Sequence, residues 1–268
     1  MMVSVVVITY AHEKFIRQTV ESVLNQVCNF PVEIIVSNDS SPDQTDEVMS
    51  QVIKNNRKGH KIKYTRQRNN LGMMNNFIWA IKQAQGKYIA LCEGDDYWTD
   101  PYKLQKQIDF LEFNLSYSMC FHSVRVINSE KKYTDHFCVP QKTTLLTRDL
   151  ILKHYIPTCS LVFRRDYLPV FFPKWFSKSI VGDIPLEIIL SIKGKTKYLD
   201  ESMAVYRKHN SGITSNSKHQ LRAHWGLVLL YKNLCFYLRG KYWYLFIFMC
   251  FKNFGSLMKN YLKKILVK

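Results

Sequence analysis

Beyond Glu201 the 268-residue chain contains no aspartate or glutamate, while lysines and arginines continue from Arg207 to Lys268. The formal net charge of +17 therefore resides mainly in the tail. The seven cysteines form neither a C-x-x-C pair nor a regular framework, which excludes a disulfide scaffold and reads as reduced thiols. No apolar run is long enough to span a bilayer. The block "YWYLFIFMCF" (242–251) is half of the ~20 residues such a helix needs. The amino terminus lacks the basic lead-in of a secretory signal, so export is not expected. No internal repeat and no long Gly/Pro/Ser linker divides the sequence, which argues for one compact unit with an attached C-terminal segment. A hydrophobic content of 47% is ample for a core and excludes disorder.

What is present is an alternation of strand and helix patterns up to about residue 98. "VSVVVIT" (3–9), "VEIIVS" (32–37), "KIKYTRQ" (61–67) and "KYIALC" (87–92) read as strands. Between them Phe15, Ile16, Val20, Val23, Leu24 and Val27 recur at helical spacing, as do Met74, Phe77, Ile78 and Ile81, with Gly86 ending that helix. Ser41, Pro42 and Gln44 read as an N-cap, a first-turn proline and a capping-box partner. Asp100 and Pro101 open another helix. The order predicts an α/β fold with a mostly parallel, doubly wound sheet. The second half suggests strands near 118–127, 159–164 and 196–206, helices near 147–154 and 184–192, and two helical stretches from 218, broken near 239–241.

In such sheets ligands bind beyond the carboxyl ends of the strands. The loops "TYAHE", "SNDSSPD" and "EGDDYW" should therefore converge at one edge. Glu93, Asp95 and Asp96 could hold Mg2+ or Mn2+ through oxygen ligands, or form an acidic turn ahead of a helix.

"VVVITYAHEKFIRQTVESVLNQ", "EIIVSNDSSPDQT" and "NNLGMMNNFIWAIKQAQGKYIALCEGDDYWTDPYKLQKQIDFL" together resemble glycosyltransferase family 2, strongly to about residue 112 and weakly to about 215. The resemblance implies a GT-A fold, with a mostly parallel central sheet flanked by helices, and an inverting, nucleotide-sugar-dependent, metal-dependent transferase. It divides the chain into a nucleotide-sugar half (1–112), an acceptor half of the same domain (113–215) and a helical basic extension (216–268).

By position, the resemblance assigns Thr9, Tyr10 and Glu13 to the first nucleotide loop and Asp39 to the uracil imide; an Asx-turn is the alternative for Asp39. Asn69, Asn70 and Gly72 match a loop near the nucleotide, or cap a helix. Asp95 falls on the dependable metal-binding acid, and Asp96 on a neighbour that orients the donor sugar. Glu93 stands where the family has aspartate, and ribose hydroxyl, metal-bound water and metal all remain open as its partner. Asp183, in "VGDIPLEIIL", matches the catalytic base, with a helix-cap role compatible, and Glu187 is the fallback. His209, in "YRKHNSGITS", falls on a second metal ligand or phosphate contact, and Arg207 or Lys208 on a charge facing the leaving group. Trp98, Thr158 and Cys159 border the sugar pocket or belong to the core.

The implied partners are Mn2+ or Mg2+, a nucleotide-sugar donor, most simply a UDP-sugar, and a saccharide acceptor, lipid-linked in one reading. The expected place is the cytoplasm. Basic and aromatic residues around 242–251 fit either peripheral contact with an anionic membrane on its inner face or a helix packed on the catalytic domain. Two competing functions stand: a basic membrane- or nucleic-acid-binding module, and a nucleotidyltransferase. The first lacks an aromatic RNA-binding or recognition-helix pattern, and the second lacks a Gly-rich basic triphosphate loop.

Overall fold

The computed structural model describes residues 1–128, 132–137, 139–209 and 219–266. Strands β1 (Val3–Thr9), β2 (Val32–Asn38), β3 (Ile62–Arg66) and β4 (Tyr88–Glu93) alternate with helices α1 (Ile16–Leu24), α2 (Thr45–Asn55) and α3 (Met73–Lys82). The short β5 (Tyr97–Trp98) and α4 (Lys103–Phe113) follow, then β6 (Tyr117–Ile127), β7 (Tyr133–His136), β8 (Thr144–Leu145) and α5 (Thr147–Leu152). Next come β9 (Val162–Arg164), α6 (Asp183–Ser191), β10 (Lys195–Arg207), α7 (His219–Tyr237) and α8 (Trp243–Leu266). Among the described residues these strands form one sheet in the order β3-β2-β1-β4-β9-β6-β10-β5, with β7 on β6 and β8 on β10. β3, β2, β1 and β4 are parallel, β9 runs antiparallel to its neighbours, and β6 and β10 are again parallel.

The β-branched run of β1 is buried on both sides because helices cover both faces. Val5, Val7, Ile34, Val36 and Ala90 face a core with α1, α2 and α4, whereas Val6, Ile35, Ile89 and Leu91 face one with α3, α6 and the C-terminal helices. The register sets Thr9 opposite Asn38 and Ile8 opposite Glu93, so the carboxyl ends of β1, β2 and β4 are level.

Two local expectations are corrected. Ser41 does not cap α2, which begins at Thr45 after an N-cap at Gln44. Its hydroxyl instead donates to Asn38 Oδ1 (2.6 Å) and accepts from the Ala11 amide (3.0 Å), tying two loops together. Asp43 Oδ1 accepts from the Thr45 amide (3.1 Å) in its place. Gly86 does not end α3, which stops at Lys82. A Cβ on Gly86 would lie 2.5 Å from the Ser4 amide nitrogen, so the glycine permits close approach to β1.

The C-terminal helices form a hairpin that turns where Arg239, Gly240 and Tyr242 all have positive φ. Leu230, Tyr231, Leu234, Phe246 and Met249 join the core shared with α3 and α6. Trp243, Tyr244, Ile247, Phe248, Phe251 and Phe254 form an exposed stripe on the other side of α8. No helix among the described residues is long and apolar enough to cross a membrane.

Candidate active site

The first loop is held by a latticework between strand ends. Ala11 (φ 56°) and Ser40 (φ 58°) are non-glycine residues in the left-handed region, one after each of β1 and β2. The His12 amide donates to Thr45 Oγ1 (3.0 Å) and the Glu13 amide to Asp43 Oδ2 (3.0 Å), while Glu13 Oε2 accepts from the Gln44 amide (3.0 Å). Thr9 is buried and Tyr10 exposed. Glu13 thus braces the loop against the start of α2.

Asp39 is buried, and its Oδ1 accepts from the Leu71 amide (2.7 Å). Asn70 donates to the Asp39 carbonyl (3.2 Å) and accepts from the Gly72 amide (3.0 Å). Gly72 has φ 80°, which a side chain disfavours. Asn69 is exposed beside this loop.

β4 delivers the acids. Gly94 follows Glu93 and donates its amide to the Ile8 carbonyl (2.9 Å); a Cβ there would lie 2.6 Å from Thr9 Oγ1 and 2.8 Å from His12 Nδ1. The buried Thr19 hydroxyl shares its one proton between the Asp96 and Gly94 carbonyls (2.6 and 2.9 Å), fixing the turn from below. β5 then pairs with β10 through Ala204 and Val205, so that two residues on, the Arg207 amide donates to Asp96 Oδ1 (2.9 Å). The Arg207 guanidinium donates to the Asp95 carbonyl and to Gln18, and packs on the Tyr97 ring at 4.4 Å. It is therefore occupied as a strut, whereas Lys208 is exposed.

Two residues further along, His209 Nε2 lies 2.9 Å from Asp95 Oδ2, and His12 Nε2 lies 3.8 Å from the same oxygen. Ligand atoms of His12, Asp95 and His209 sit within 4.8 Å of one another, as do those of Glu93, Asp95 and Asp96. Burial, then the charges of Asp95 and Asp96, push the Glu93 carboxyl well above the usual range. Burial and Asp95 do the same to Asp96, whose buried Oδ2 has no hydrogen-bond partner among the described residues. Burial also acts to raise Asp95, but the His209 hydrogen bond and the histidine charges hold it below its ordinary value. Burial holds His12 below the usual imidazole range, which favours its neutral, ligating form. Crowded carboxylates beside two imidazoles suit a divalent cation.

A second cluster stands at the mouth of α6. Asp183 is its first residue, and its Oδ1 accepts from the Ile184 amide (2.8 Å). His154 Nε2 lies 3.4 Å from Asp183 Oδ2 and 3.3 Å from Glu187 Oε1. The Asp183 and His154 charges reach Glu93, so the two clusters are electrostatic neighbours. Trp98 is buried, with Nε1 donating to the Cys159 carbonyl (2.8 Å), and Cys159 is itself buried; both belong to the core, while Thr158 is half-buried. Residues 210–215 of the late motif lie outside the described residues.

Sequence reasoning singled out neither His12 nor His154. His12 lies in a loop already placed at the ligand edge, and its spacing from Thr9 was the available signal. His154 precedes an irregular segment and carries no local signal.

A curled mixed sheet with strand-end acids and flanking helices is the architecture of GT-A glycosyltransferases. S. aureus TarS in complex with UDP-GlcNAc superposes with a TM-score of 0.67 at 22% identity, covering 88% of this chain and 67% of that one. The mannosyltransferase PcManGT from Pyrobaculum calidifontis, in complex with GDP-Man and Mn2+, gives 0.63 at 15% identity, covering 86% and 63%. The model of glycosyl transferase family 2 matches residues 4–171, and the chain belongs to that family. An uncharacterised protein of Mycobacterium tuberculosis is 33% identical over 227 residues, covering 83% of this chain. The chain spans 63% of that relative's length. The Escherichia coli UDP-Glc:alpha-D-GlcNAc-diphosphoundecaprenol beta-1,3-glucosyltransferase WfaP is 28% identical over 226 residues, 82% of each chain.

Proposed function

We propose that this chain moves a hexosyl or N-acetylhexosaminyl group from a UDP-sugar to a saccharide hydroxyl, with a lipid-linked saccharide as acceptor, in bacterial surface polysaccharide synthesis. The observation that carries this reading is the convergence of Glu93, Asp95 and Asp96 with His12 and His209 at the strand edge that also holds Thr9 and Asp39. The donor class and lipid-linked acceptor are supported by the complexes and activity named for TarS and WfaP.

In this reading residues 1–112 bind the donor, 113–215 bind the acceptor and 216–268 form an extension. Asp39 accepts from the uracil imide, with Thr9, Tyr10, Glu13, Asn69 and Gly72 framing the nucleotide. Asp95 and His209, joined by His12, would hold Mn2+ or Mg2+. Such an ion, when bound, offsets charge on the diphosphate. Asp96 turns its unpaired oxygen to a donor-sugar hydroxyl. Glu93, one residue before Gly94, stands beside Asp95 and Asp96, with a ribose hydroxyl, a metal-bound water or the metal as its partner. Asp183 takes the proton of the acceptor hydroxyl while that oxygen attacks the anomeric carbon and the bond to diphosphate breaks, inverting the centre. The protein works in the cytoplasm, with the aromatic stripe of α8 resting on an anionic membrane surface.

Nucleotide release from a panel of UDP-glucose, UDP-galactose, UDP-N-acetylhexosamines and GDP-mannose, with Mn2+ present, tests the donor. The expected outcome is UDP release from at least one UDP-sugar; release from GDP-mannose alone contradicts the donor assignment.

A further inference from the structure

We infer that His154 is a positioning residue for Asp183, bridging it to Glu187 so that the Asp183 carboxylate is held in one orientation at the mouth of α6. The inference rests on the reading of Asp183 as the base.

Asp183 and Glu187 are four residues apart on α6 and so share one face. Two carboxylates there repel one another, and the Asp183 charge also reaches Glu93 of β4, helping to raise its carboxyl. His154, in the segment leaving α5, places one ring nitrogen 3.4 Å from Asp183 Oδ2 and 3.3 Å from Glu187 Oε1. The Phe137 ring packs edge-on against the imidazole at 5.7 Å, an apolar wall that strengthens the ion pair. The Tyr231 hydroxyl of α7 also senses both acids. The Glu187 side chain is 2% exposed and that of Asp183 24% exposed, so Asp183 is the more open of the two to an acceptor. The division of labour follows: Asp183 faces the substrate, Glu187 is the buried counter-charge and His154 links them.

Burial acts to make His154 neutral, but the charges of Glu187 and Asp183 outweigh it and raise the imidazole to about 10. Burial in turn raises Glu187 to about 7, opposed by the His154 charge, so His154 and Glu187 hold the proton between them before reaction. When the acceptor O–H bond breaks and its proton moves to Asp183, the oxygen's electron pair forms the new glycosidic bond while the bond from the anomeric carbon to the diphosphate breaks and UDP leaves with that bond's pair. Asp183 then carries the acceptor's proton, with His154 still bridging it to Glu187.

The test uses the full chain with Mn2+ and UDP-N-acetylglucosamine or UDP-glucose, reading UDP release with water as acceptor and UDP affinity by calorimetry. His154→Gln is expected to lower kcat about tenfold to a hundredfold, leaving donor KM and UDP Kd within about twofold. Added imidazole should restore part of kcat in His154→Ala. Wild-type kcat in His154→Gln, a loss confined to KM, or absence of rescue by imidazole overturns the inference. Asp183→Asn separates the two ideas: if it stays active the base assignment itself fails, and if it is inactive while His154→Gln is not, only the positioning role fails. Should the histidine variants not fold, nitrogen NMR of wild-type His154 decides. Both ring nitrogens protonated near neutral pH is the expected result, and a neutral ring overturns the inference.

Discussion

Lys103 is a fully buried lysine, set 4.0 Å over the Trp98 ring and donating to Gln107 Oε1 at 2.7 Å. Burial lowers its ammonium to about 8, only partly opposed by Cys92, Cys159 and Cys120. Because the folded value lies below the unfolded one, the unfolded chain binds the extra proton between about pH 8 and 10.5, and stability rises with pH across that window. Below it the buried charge costs about 3 kcal/mol. Lys103→Met is therefore expected to raise stability near neutral pH by about 1–2 kcal/mol, after about 1 kcal/mol is lost at the unpaired Gln107. Denaturant unfolding at pH 7 and 10 checks this, and the gain should shrink at the higher pH. At the same scale the sequence revealed acids more readily than their partners. Glu93, Asp95 and Asp96 stand together in one loop, whereas His12 and His209 reach Asp95 only because β1, β4 and β10 end at the same edge.

Among the elements, the parallel strands and their helices were legible because buried strands carry β-branched runs and helices repeat their apolar residues. Capping was not. Ser41 has the right type and spacing for an N-cap, but the neighbouring loop offers its hydroxyl a partner that local spacing cannot show, the Ala11 amide thirty residues away. Ser41→Ala should remove that bond and the one to Asn38, costing about 1–2 kcal/mol. The left-handed Ala11 turn should loosen as well, weakening UDP binding. Chemical denaturation and UDP calorimetry measure the two effects, and an unchanged UDP Kd would separate Ser41 from the nucleotide loop. β5 and β8 escaped reading because two-residue strands are defined only by their partner, β10.

For the whole molecule, the acidic site and the basic tail are separate devices. In the tail, Phe246 and Met249 pack into the core, while Phe248 and Phe251 on the same helix are exposed beside Lys252, and contact with a membrane surface is the proposal to test. Phe248→Ser with Phe251→Ser should leave the melting temperature nearly unchanged, since both rings are exposed. The pair should reduce flotation with anionic vesicles, and undiminished flotation would contradict the membrane-facing role. The central claim, a metal-supported sugar transfer at the strand edge, is tested most directly by Mn2+-dependent UDP release in Asp95→Ala. The account predicts a fall by orders of magnitude in a protein that still melts cooperatively. Turnover within about twofold of wild type in that variant would contradict it.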